Sequence, residues 1–120
     1  GFIWAAAGLS ALIFAVHVFI GGKETAIPIR DGTALEEVTK GSALIAWHLM
    51  SGTLALIAVL FAVAAIFGIH AYAHIGIAFT GLFTIIGLVF PPLAGFSYKI
   101  LPQGFGFLVV AILGLLGILL

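Results

Sequence analysis

The 120-residue sequence has no cysteine and only eight charged side chains, four basic and four acidic. The missing cysteine excludes disulfides, thiolate catalysis, iron–sulfur clusters and cysteine-type zinc sites. The shortage of charge excludes more. A soluble domain carries roughly 25% charged residues, whereas here 7% are charged and 64% hydrophobic, with a mean hydropathy of +1.41. Eight charges cannot keep such a chain dispersed in water, so its solvent is the lipid bilayer. Net charge is zero, which leaves no basic patch for nucleic acid and no acidic tail to gather cations. A phosphate-cradling glycine loop, G-x-S-x-G, H-E-x-x-H and a carboxylate pair within an apolar run are all missing. So are the rings of charge and broken spans of pores and transporters. An autonomous hydrolase or transporter is therefore not the expected reading.

What is present is four apolar runs. A spanning helix needs about 20 apolar residues, and the runs lie at about 2–20, 43–67, 71–90 and 100–120. The first is too long for the apolar region of a signal peptide and lacks its basic start. In lipid each segment must satisfy its own backbone, which leaves helices or closed barrels, and runs of this length without alternation are helices. The expected fold is all-α, a four-transmembrane-helix bundle in one membrane domain. Gly21-Gly22 closes the first span, Pro91-Pro92 stops the third, and Pro102 sits in the first turn of the fourth. Between the first two spans lies a charged 21–42 loop. Thr33 followed by Glu36 matches a capping box, so a short interfacial helix is expected over Ala34–Lys40, with a bend near Gly41-Ser42.

Alternating the spans places all eight charges on one face: Lys23, Glu24, Arg30, Asp31, Glu36, Glu37 and Lys40 in the first loop, Lys99 in the 91–99 loop. The positive-inside rule makes that face cytoplasmic, in a bacterial inner membrane. Helices in lipid associate through small residues that allow close approach. Each span offers such a seam: Ala6, Ser10 and His17; Ser51, Ala55, Ala58, Ala62 and Ala65; Ala73, Gly76, Thr80, Thr84 and Gly87; Ala111, Gly114 and Gly117. Large side chains should then face lipid.

Ionisable residues at membrane depth are costly and mark sites or helix contacts. His17 near the end of the first span and His48 near the start of the second come to similar depth. With Glu24 folding back over them they are the candidate metal or cofactor ligands. Ser51, Tyr98 and Gln103 form a supporting polar cluster on the same side. Nitrogen and oxygen donors suit zinc or copper, two histidines from two helices suit haem, and a lone imidazole can serve a quinone or a proton. Against these stands the plainer role of an interhelical hydrogen bond that fixes register, with no cofactor at all. His70 and His74, spaced i and i+4, make a weaker second site. Trp4 and Tyr72 at that end, and Trp47 at the charged end, read as interfacial anchors.

The run His17-Val-Phe-Ile-Gly-Gly-Lys-Glu24, then Ile27-Pro28-Ile29 and Ala46-Trp47-His48, resembles a group of small uncharacterised bacterial four-helix membrane proteins. Their first span ends in H-x-x-x-G-G-x-E and their second carries an early W-H pair. The resemblance covers the first half of the chain. It implies four spans and marks Gly21, Gly22 and Trp47 beside the two histidines and Glu24, and it implies no activity. The expected role is non-catalytic: an accessory or structural subunit that meets a larger membrane complex, or further copies of itself, within the bilayer. The alternative is a metal-, haem- or quinone-binding membrane protein that uses His17 and His48 for electron or proton transfer.

Overall fold

A computed structural model describes all 120 residues. It is all-helical, with α1 at Phe2–Asp31, α2 at Glu37–Phe67, α3 at His70–Ala94 and α4 at Gln103–Leu119. Three of these, α1 to α3, are long and apolar enough to cross a membrane. α4 has 17 residues. The helices run up and down in a ring, α1 against α2 and α4, and α3 against the same two.

The charged end differs from the expectation. Gly21-Gly22 does not end the first helix. The α-helix to Ala15 passes into wider π turns over Val16–Ala26 and returns to an α turn at Ile27–Asp31. The reason lies above Gly21, where a Cβ would come 2.8 Å from the Trp47 ring. This glycine permits a close approach and is no terminator. The expected 21–42 loop thus shrinks to residues 32–36, and there is no separate interfacial helix. The capping box does not form either. Glu36, extended at φ −64° and ψ 155°, is the residue before the helix, and no side chain caps it. From Glu37 to Phe67, α2 has 31 residues without a break at Gly41-Ser42, about 46 Å at 1.5 Å per residue. It therefore exceeds a hydrocarbon core of about 30 Å.

Pro91 and Pro92 lie inside α3 and do not stop it. Each removes a bond to a carbonyl four residues earlier, which frees those of Gly87 and Leu88. The Tyr98 hydroxyl donates to the Leu88 carbonyl at 2.8 Å, so one freed acceptor is satisfied from the following connection. The helix ends at Gly95, φ +82°. There the Phe96 amide donates to the Pro91 carbonyl at 2.8 Å and the Gly95 amide to that of Pro92 at 3.4 Å, the paired closure that a left-handed glycine allows. Pro102 precedes α4 as its cap and is not in its first turn.

The core is Ala6, Ala7, Ile57, Phe61, Ala64, Ala73 and Val110. On α3 the small-residue seam faces inward as expected, with Ala73, Gly76, Thr80 and Thr84 buried. Thr80 and Thr84 donate to the carbonyls of Gly76 and Thr80 one turn back, at 2.9 and 2.7 Å. Ala6 and Ser10 on α1 and Ala111 and Gly114 on α4 are also buried. The second helix departs from the expected pattern. Its buried face is Leu54, Ile57, Phe61 and Ala64, while Ala55, Ala58, Ala62 and Ala65 are only half-buried. The cause is steric. The glycines of the neighbouring seams leave a recess, and the Phe61 ring fills it: a Cβ on Gly76 would stand 2.8 Å from that ring and one on Gly114 2.9 Å.

Candidate functional site between α1 and α2

The antiparallel register of α1 and α2 brings His17 opposite Ser51 and Gly21 opposite Trp47. His17 Nε2 lies 2.9 Å from Ser51 Oγ, and Ser51 Oγ lies 3.1 Å from the Trp47 carbonyl, one turn earlier on α2. A serine hydroxyl has one proton. Both bonds form together when Ser51 donates to the carbonyl and the imidazole donates its Nε2 proton to Ser51. The imidazole also stacks on the Trp47 indole, with centroids 3.8 Å apart and planes 17° from parallel. Histidine, serine, tryptophan and glycine thus form one interhelical lock. Trp47 is half-buried within it.

His48 lies on the exposed side of α2, one residue beyond that lock. It lines an open groove of about 680 Å³ between the two helices, together with Trp47 and Ser51. Glu24, expected to fold back over His17, is exposed and makes no side-chain hydrogen bond. The continuous helix carries it two turns past His17 instead. No three His, Asp or Glu side chains gather closely enough to hold a metal ion, so His17, His48 and Glu24 do not converge as a ligand set.

The rest of the expected cluster is dispersed. Tyr98 is engaged with Leu88 and packs edge-on against Phe105 at 5.2 Å. Gln103 opens α4 as an exposed residue. His70 and His74 are exposed at the start of α3, at the end of the bundle that also exposes Trp4 and Tyr72. Arg30 and Asp31 form an exposed ion pair at 3.0 Å, of a kind that adds little stability. Sequence reasoning missed Trp47 as the partner of His17. The one signal was its spacing, four residues before Ser51 on the same helix face.

Comparison with family models, with curated proteins and with solved structures finds no match for this chain.

The lock makes a direct prediction. Interhelical hydrogen bonds in membrane bundles average about 0.6 kcal/mol, and a stacked aromatic pair adds about 0.5–1.5 kcal/mol. His17→Ala should therefore lower the unfolding free energy in mixed micelles by about 1–2 kcal/mol and Ser51→Ala by about 0.6 kcal/mol. The double variant should cost less than the sum, because both remove one bond. Fully additive losses would show that the two side chains do not act on each other.

Proposed function

We propose that this chain is a four-span integral membrane protein that serves as a non-catalytic accessory subunit of a larger membrane complex. The observation that supports this reading best is the lock itself. The most chemically capable side chain at membrane depth, His17, is hydrogen-bonded to Ser51 and covered by Trp47, so it holds two helices together. The fourth span is part of the proposal. α4 lies antiparallel between α1 and α3, and its 17 residues reach about 26 Å, close to the hydrocarbon thickness.

The charged end is assigned to the cytoplasm of a bacterium, since Lys23, Arg30, Lys40 and Lys99 all fall there. Kinship with the small bacterial proteins that share the His17–Glu24 run belongs to the same proposal. So does the docking role of the α1–α2 end, which carries seven of the eight charges between Lys23 and Lys40. Extraction of native membranes in mild detergent tests it. The chain should migrate on native gels within a larger assembly and lose stability when stripped of it. A lone, monodisperse and stable protein would overturn the reading.

A ligand shared by His17 and His48 is the competing reading. It draws less support, because His17 is engaged and the three candidate ligands stay apart. One visible spectrum and one elemental analysis of the same preparation decide it. A Soret band, or one zinc or copper per chain that disappears in His48→Ala, would reverse the order of the two readings.

A further inference from the structure

The groove between α1 and α2 carries a separate signal, independent of the subunit reading. Its volume of about 680 Å³ falls within the range of about 300–1,000 Å³ typical of small-molecule sites. It is graded along its length. Phe14, Val18 and Ala55 line the end toward the middle of the bundle, and Lys23 and Ile27 the end toward the charged face, with His48 on the α2 wall. Phe14 to Ile27 would rise at most roughly 20 Å at the α-helical 1.5 Å per residue, and less in the wider π turns of Val16–Ala26, a length comparable to the half-thickness of about 15 Å of the hydrocarbon core. The groove therefore runs from within one leaflet to its surface. Among the twelve lining residues, Lys23 is the one charged side chain and no carboxylate is present.

The α1 wall from Val18 to Ala26 belongs to the π segment, a backbone form that recurs at functional sites. At Gly22 on that wall and Gly52 opposite, a Cβ would meet nothing within 4 Å, so the groove is open at both.

We propose that this groove binds a phospholipid with an anionic headgroup. One acyl chain lies along Phe14, Val18 and Ala55. The phosphate region meets the Lys23 ammonium, whose stem reaches toward the interface, and His48 hydrogen-bonds the headgroup or glycerol oxygens. A flat or neutral surface would take any lipid. A cleft with one ammonium and no carboxylate selects anionic ones, as basic pockets between spans do.

Reconstitution into vesicles of equal phosphatidylglycerol and phosphatidylcholine, followed by native mass spectrometry of retained lipid, tests the proposal. One ammonium near the surface should enrich phosphatidylglycerol about fivefold. Lys23→Gln should bring the ratio close to one and Lys23→Arg should keep it. Lys40→Gln, with the same charge change outside the groove, should leave the ratio unaltered. Gly52→Leu starts from a position where a Cβ meets nothing within 4 Å, projects its side chain into the groove and should abolish retention of either lipid, with circular dichroism checking that the fold persists. The same vesicles carry the counter-tests. Equal retention of both lipids, a preference that survives Lys23→Gln, or retention that survives Gly52→Leu would each overturn the proposal. So would recovery of a quinone, or of a partner's helix, in place of lipid from the native membrane.

Discussion

Replacing Gly104 with alanine is expected to cost about 3 kcal/mol or more of folding free energy, at or above the upper end of the range for overpacked sites. A Cβ at Gly104 would stand 2.6 Å from the carbonyl carbon of Gly87 and 2.9 Å from the amide nitrogen of Leu88. A Cβ at Gly87 would meet the Cα of Gly104 at 2.6 Å. Both obstacles are backbone, which cannot swing aside as a side-chain tip can, so α3 and α4 must separate. The separation would reach further than the crossing. Gly87 is one of the two residues whose carbonyls the prolines free, and Leu88, the acceptor for Tyr98, is the next residue. Spreading the helices removes the close covering of that proline turn.

Unfolding of the purified protein in mixed micelles gives the number, and two glycines supply the scale. Gly106→Ala meets only the flexible tip of Ile13 at 3.4 Å and Gly81→Ala meets nothing within 4 Å. The first should cost little. The second should be neutral or stabilising by up to about 1 kcal/mol through helix propensity. If Gly104→Ala behaved as Gly81→Ala does, the crossing would have to be looser than the backbone geometry shows.

Much of this architecture was legible because lipid imposes a one-dimensional rule. Apolar runs of fixed length must be helical, and the inward seam of α3 followed from Ala73, Gly76, Thr80 and Thr84 recurring on one face. The rest needed a second helix to interpret it. Gly21 reads as a break when it is seen alone, and its role as a seat for Trp47 requires knowing that α2 returns beside it. Pro91 and Pro92 read as a stop because proline removes a donor. That loss is tolerated here because Tyr98, on a later connection, supplies one. His17 and Ser51 were both visible as polar residues near the charged end of their spans. Which of them would bond, and that Trp47 would cover the imidazole, depends on a helix rotation that the pattern of α2 did not encode. Its alanines form the more regular stripe, yet its larger residues turn inward.

That inversion supports the second large effect. Phe61→Ala is expected to cost about 3–5 kcal/mol if the cavity stays open, as for buried phenylalanines in general. The origin differs from that in a soluble core. Lipid tails are as apolar as the bundle interior, so what is lost is close contact with the walls, and an empty recess has no atoms to replace it. Those walls are Gly76 on α3 and Gly114 on α4, so Phe61 joins three helices at one point and is fully buried there. The test is a size exchange. Gly76→Ala alone places a methyl 2.8 Å from the ring and should destabilise by about 1–3 kcal/mol through overpacking. In a Phe61→Leu background the same alanine enters vacated space and should restore part of the stability lost. The cycle should therefore show a favourable coupling of about 0.5–3 kcal/mol, the range for residues in direct contact. Additive losses would mean that Phe61 and Gly76 are not packed on each other. The stripe of alanines on α2, which sequence pattern favours as the inner face, would then regain its claim to the core.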